Sequence, residues 1–371
     1  MTSRLWTVAA LGLFLVAPAR ADFFAIDLND FGFQPAAVNS SRQFVGSRDF
    51  PGDGFRAFRW EGAAGFVNLG TLGGGVSAGT AVNEAGWVAG FSRTTPGGTG
   101  TNAFLWQPGV GMTGLGTLGG TNSTAAAVNG AGVVVGSSQT TGNAATHAFV
   151  WQPGSGMVGL GTLGGTNSSA VGVNTGGLVV GTSDVTGGGT RPFVWTEATG
   201  LTDLGGLGGA SAVGRAFGVN DGGLVVGRSD RGDGTFGAFV WQPGVGFTDL
   251  GTLGGANATA FAINDQGQVV GSSQDAAGED RAFIWDAANG MRDLNAIIAN
   301  GGGFALTSAT GISSGGDILA ESLLNDGSTI FLVTERPDLT PPTADVPAPP
   351  AVVLLALGLP VLGLVRRRSA R

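Results

Sequence analysis

The heptapeptide "AFVWQPG" occupies Ala148–Gly154 and returns letter for letter at Ala238–Gly244. Variants begin at Ala57 ("AFRWEGA"), Ala103 ("AFLWQPG"), Pro192 ("PFVWTEA") and Ala282 ("AFIWDAA"). Their Trp residues, Trp60, Trp106, Trp151, Trp195, Trp241 and Trp285, are spaced by 46, 45, 44, 46 and 44 residues. Two further landmarks keep the same step. "LGTLGG" starts at Leu69, Leu115, Leu160 and Leu250, with "LGGLGG" at Leu204. A pattern of the form "VN..G.VVG" is anchored on Asn39, Asn83, Asn129, Asn174, Asn220 and Asn264, and a degenerate seventh copy sits at Ser313. Three landmarks on one period define tandem repeats of about 45 residues.

Each repeat reads as four short strands bounded by Gly, Asn, Pro or Asp, none with a helical period. In one copy they are "AFAIN" from Ala260, "QVVGSS" from Gln268, "AFIW" from Ala282 and "RDL" from Arg292. The turn after the first strand carries Asn or Ser at its first position and Gly at its fourth, a type I preference. Arg42 is the one departure from that Gly. Runs such as "LVVG" and "AFVW" are apolar at neighbouring positions, so both faces of those strands must be covered. Radially stacked sheets do this, because each is sandwiched between two others. The expected fold is therefore an all-β, seven-bladed β-propeller of four-stranded blades over residues 22–335. Trp is expected to fill the gaps between blades. A β-solenoid is the alternative. The small first strand should be innermost, and "FFAIDLN" from Phe23 should close the ring as an outer strand beside Ile330–Val333.

The ends differ from the body. Residues 1–21 have the charged, apolar and small-x-small segments of a signal peptide, with cleavage after Ala21. Residues 336–345 form a Pro-rich linker. In residues 346–371, Val346-Pro347-Ala348-Pro349 precedes an apolar run from Ala351 to Val365 and then Arg366, Arg367 and Arg368. That run, although short, is expected to be a transmembrane helix that anchors the chain in the inner membrane before processing, with the Arg cluster on the cytoplasmic side. Residues 1–21 and 346–371 together hold six of the 18 Arg and no acid, leaving 12 Arg against 26 acids in residues 22–345. An acidic body without a basic patch argues against nucleic acid as a partner.

Little in the sequence carries catalytic chemistry. His147 is the single His and there is no Cys, which removes the common zinc sets and Cys–His pairs and leaves core burial, not disulfides, to hold the exported body. No catalytic residue, metal ligand or cofactor is assigned, and the spacing of a calcium loop is absent. Asp203, Asp249 and Asp293, on the fourth strands, read as charge that discourages edge pairing. The loops between second and third strands vary while the strands do not, so function is expected there. Asp49, Asp53, Asp230, Asp233 and Asp280 are the candidate ligand-binding residues, gathered on the face opposite the short "QPGxG" turns.

Two resemblances add to this reading. Period and motifs over residues 22–335 resemble the HAF family of bacterial extracellular repeats, whose name-giving triplet survives at His147-Ala148-Phe149. The tail resembles the PEP-CTERM sorting signal, here without its usual Glu. The second resemblance implies recognition by an exosortase-like sorting protease, passage through the inner membrane, and a cell-surface or extracellular destination. Together they lead to an expected non-enzymatic surface or matrix protein that binds or scaffolds polysaccharide or protein partners. A propeller glycosidase or lyase using paired loop carboxylates is the competing expectation.

Overall fold

The computed structural model describes residues 23–28, 33–209, 211–299, 304–324 and 327–335. The leader with Ala21, the linker, and the tail with Val346, Pro347, Ala348 and Pro349 lie outside them. Among the described residues no helix is long and apolar enough to cross a membrane.

Among the described residues, regular structure is almost entirely strand. After β1 (Phe24–Asp27), the first repeat supplies β2 (Gln34–Val38), β3 (Phe44–Phe50), β4 (Gly54–Trp60) and β5 (Phe66–Asn68). The next gives β6 (Ser77–Val82), β7 (Val88–Arg93), β8 (Thr101–Gln107) and β9 (Gly111–Gly116). Then follow β10 (Gly119–Val128), β11 (Val134–Thr140), β12 (Thr146–Gln152) and β13 (Gly156–Gly161). The fourth repeat holds β14 (Gly164–Val173), β15 (Val179–Val185), β16 (Thr190–Thr196) and β17 (Gly200–Asp203), and the fifth β18 (Gly214–Val219), β19 (Val225–Asp230), β20 (Phe236–Gln242) and β21 (Gly246–Asp249). The sixth is β22 (Gly254–Ile263), β23 (Val269–Asp275), β24 (Asp280–Asp286) and β25 (Gly290–Asp293), and the last β26 (Leu306–Ile312), β27 (Ile318–Leu324) and β28 (Gly327–Thr334).

These strands form an all-β propeller, with neighbours antiparallel and consecutive within a repeat. Five sheets have four strands: β2 to β5, β14 to β17, β18 to β21, β22 to β25, and β26-β27-β28-β1. The sixth sheet has eight, joining β6–β9 to β10–β13. The expected count of seven separate four-stranded sheets is thus not matched. The merger is local: it rests on one parallel bridge, Asn122 opposite Thr101, where the Asn122 Oδ1 accepts from both the N–H and the hydroxyl of Thr101.

First strands are innermost. β2, β6, β10, β14, β18, β22 and β26 each contact the next, and β26 contacts β2. Each carries a bulge at the same place, between Ala125 and Ala127 in β10 or Ala260 and Ala262 in β22. A bulge bends the strand and raises its twist, and small side chains there suit crowding at the axis. The ring closes through β1, which pairs with β28 so that Asp27 lies opposite Phe331 and Phe24 opposite Thr334. Residues about 300 apart share this sheet, as the N-terminal "FFAIDLN" requires.

The gap between neighbouring sheets is filled by Phe more than by Trp. Phe58, Phe104, Phe149, Phe193, Phe239 and Phe283 are completely buried, whereas Trp106, Trp151, Trp195, Trp241 and Trp285 are half-buried and only Trp60 is sealed. Register explains the difference. Phe149 lies opposite Gly136, while Trp151 lies opposite Val134. A Cβ on Gly136 would sit 2.1 Å from the Thr124 carbonyl oxygen and 3.0 Å from the Phe149 ring. The missing side chain on the second strand is the space into which the Phe sinks. Trp, two residues on and on the same face, covers the rim of that cluster.

Candidate functional site

Because strands alternate in direction, the loops between second and third strands share one face with the crossings between repeats. Asp49, Asp53, Asp233 and Asp280 are exposed on that face and Asp230 is half-buried. The structure does not bring them together. Asp49 and Asp53 belong to the first repeat, Asp230 and Asp233 to the fifth, and Asp280 to the sixth. Among the described residues no group of three or more His, Asp or Glu is placed to hold a metal ion.

Two of these acids shape their own loop, and a third ties its loop to the fourth strand. Asp230 accepts from the Gly232 N–H at 2.6 Å, and Asp53 accepts from Asn68 Nδ2 at 3.2 Å. Asp233 accepts from both the hydroxyl and the N–H of Thr235, which hold its carboxyl below the usual range. A carboxylate that caps a turn is an Asx-type device.

The fourth-strand acids lie on the edge strands of their sheets, and there they also close turns. Asp203 and Asp249 accept from the N–H groups of Gly205 and Gly251 and pair with Arg191 at 2.8 Å and Arg231 at 2.6 Å. Asp293 caps Asn295. The sequence "DLG" is therefore a turn signal, with Asp closing the bend two residues on. Arg231 also donates to the Ala256 carbonyl of the following repeat at 3.0 Å.

The residue type whose work the sequence did not disclose is Asn. At each of the six repeat positions its Nδ2 donates to a carbonyl of the next repeat: Asn39 to Asn83, Asn83 to Asn129, Asn129 to Asn174, Asn174 to Asn220, Asn220 to Asn264, and Asn264 to Ser313. Its Oδ1 meanwhile accepts from the start of its own second strand, as Asn129 does from Val133 at 3.0 Å. On the opposite face Asn122, Asn167 and Asn257 accept from Thr101, Thr146 and Phe236 N–H groups of the preceding repeat. The recurrence was the signal, but it said nothing of partners.

One open depression, of about 510 Å³, lies on the candidate face. Its wall is Gly164, Gly165, Thr166 and the stretch Asp184–Thr190. Asp184 there accepts from the N–H and Nδ2 of Asn167, at 3.0 and 3.1 Å. The depression is rich in backbone and hydroxyl groups and holds none of the five candidate acids.

No family model matches the chain, and no curated protein matches it. Among solved structures, TolB from Acinetobacter baumannii is similar at 14% identity with a TM-score of 0.43, over 67% of this chain and 64% of that one. A puromycin hydrolase mutant is similar at 13% and 0.45, over 81% and 50%. The WD40 β-propeller domain of Doa1 is similar at 15% and 0.39, over 85% and 93%. The chain spans about half to two thirds of the first two. At such distances the fold assignment rests on the strand topology itself.

Proposed function

We propose that this chain is an exported, non-enzymatic surface or matrix protein, a seven-bladed propeller whose variable face binds a hydroxyl-rich polysaccharide. The cycle of seven innermost strands supports the blade count, with the eight-stranded sheet read as two blades sharing one bridge. The observation that carries the binding reading is the division of labour between faces. One face is built of near-identical turns tied by Asn, and the other presents loops of different length, those of the fifth and sixth repeats shaped by their own Asp. Signal peptide, sorting tail and the HAF resemblance support export, with the exosortase-like protease as the processing partner.

The test is a glycan array probed with the purified body, residues 22–345, with replacement of Asp49, Asp53, Asp230, Asp233 and Asp280 by Asn as the comparison. Binding to one glycan class is expected for the native body, and loss of most of that signal for the variant. The thermal midpoint should stay nearly unchanged, since exposed loop charges contribute little to stability. A silent array would overturn the glycan reading, and undiminished binding by the variant would move the site off these loops.

A further inference from the structure

Arg42 holds a backbone conformation that every equivalent position gives to glycine. The turn from innermost to second strand ends in Gly86, Gly132, Gly177, Gly223, Gly267 and Gly316, with φ between +73° and +83°; in the first repeat it ends in Arg42 at +56°. A side chain in this region is strained and persists where surrounding contacts hold it. Here the guanidinium donates to Asp317 at 3.1 Å through Nε and 3.3 Å through Nη2, and from Nη2 to Thr334 Oγ1 at 2.8 Å. Thr334 in turn donates to Asp317 at 2.5 Å. Asp317 is 1% exposed and Arg42 11%.

Asp317 is itself a departure from the repeat. Its position holds Gln43, Trp87, Val133, Leu178, Leu224 and Gln268 elsewhere. Two exceptions 275 residues apart therefore meet face to face. They meet at the junction where Ser313 replaces the Asn that would donate onward to the first repeat.

Near-identical repeats pose a problem of choice. The innermost strands and turns of the first repeat keep the backbone frame of every other junction, so a ring closed on the wrong repeat, with one left out, has to be selected against beyond what β1 and the local aromatic packing provide. A buried ion pair adds little net stability over apolar packing, but losing one partner strands a buried charge. If the first repeat met any other, Arg42 would face Gln, Trp, Val or Leu. If the last repeat met any other, Asp317 would face glycine.

We propose that Arg42 and Asp317 are the specificity-determining residues of ring closure, making the first repeat accept the seventh and reject the other five. Their role is selection among competing closures, and the stability of the closed ring is carried by its apolar contacts.

The test uses the chain's own consensus residues, so each substitution is already tolerated locally elsewhere in the ring. The full chain carrying R42G and D317Q, and a second version that adds S313N to restore the missing link, are unfolded and refolded beside the native chain. Species are read by size and by resistance to an Arg-specific protease. The native chain is expected to return one resistant monomer. Both variants should give at least about a fivefold larger share of off-size or protease-sensitive species, as stranding or removing a closure-selecting charge pair implies. The version with S313N should do so even though its correctly closed fraction unfolds at the native midpoint. Refolding of that version as cleanly as the native chain would overturn the proposal. So would recovery of no folded protein from either variant, since the pair would then be a requirement for stability.

Discussion

The six junctions linked by Asn and the junction between the last repeat and the first are built on different terms. At a regular junction, such as that around Phe149, one buried Phe covers a glycine, a half-buried Trp caps the cluster, and Asn bonds tie the two repeats. At the closing junction the Asn link is gone, the Arg42–Asp317 pair is the polar contact, and aromatic mass is added. Phe33 packs against Phe44, Phe58, Trp60 and Phe66 with ring centroids 5.2 to 6.0 Å apart. Leu28, Leu319 and Leu332 complete that cluster. Trp60 is sealed here while its counterparts are not. A periodic polar bond is a sufficient fastener where neighbours are joined by chain connectivity. Where the chain ends must find each other, dense apolar burial does the holding.

The largest effect should come from breaking that density. Phe33→Ala removes a ring touching four others and should cost about 3–5 kcal/mol, the range for a large aromatic in a packed core. Denaturant unfolding followed by Trp fluorescence measures it. A cost below about 1 kcal/mol would mean that the aromatic cluster is not what holds the closing junction.

Next in size is the polar fastener. Asn129→Ala removes one of two donors to the Asn174 carbonyl, which keeps the Gly177 N–H, and takes the side-chain acceptor from the exposed Ala131 N–H and the half-buried Val133 N–H. Losing these bonds, with a half-buried group left unpaired, should cost about 1–3 kcal/mol. Ser313→Ala at the closing junction loses one bond from the Asp317 N–H and none to the first repeat, so its cost should stay near 1 kcal/mol. Equal losses in the two thermal scans would erase the distinction between the junctions.

Repeat length, the four-strand unit, the innermost position of the small strand and closure by "FFAIDLN" were all legible, because each follows from spacing and side-chain size. The two exceptions at the closing junction, Arg42 and Ser313, were visible as departures, but not as neighbours of each other or of Asp317. Partner identity is what a repeat conceals. A recurring Asn reads the same whether it bonds within its own turn or across to the next repeat, and here it does both. The weight placed on Trp failed for a related reason: size marks what recurs, while burial depends on what lies opposite, and glycine lies opposite Phe. For the candidate acids, residue type marked a polar face but could not reveal that Asp230 and Asp233 were already occupied by their own loop. Nor could it show that "TDL" pairs with Arg191 or Arg231.

The smallest effect tests whether side-chain ion pairs add anything at a regular junction. Arg231 joins the fifth repeat to the sixth through Ala256 and holds Asp249 in two bonds, at 2.6 and 2.9 Å. Those bonds first, with a contribution from the Gly251 N–H, keep the Asp249 carboxyl below its usual range, against the opposing effect of partial burial. A carboxyl whose folded value is depressed stabilises the fold fully above its unfolded value, about 3.9, and the gain is lost as pH falls through the folded value. Asp249 is 36% exposed and Arg231 20%, so solvent screening limits the contribution to less than about 1 kcal/mol. The native chain should therefore be slightly more stable than Asp249→Asn at neutral pH, and the two should converge as pH drops below about 4. Thermal midpoints measured from pH 7 to pH 3 read this directly. A constant gap across that range would place the effect of the substitution in packing, and convergence above pH 5 would assign the titration to another group.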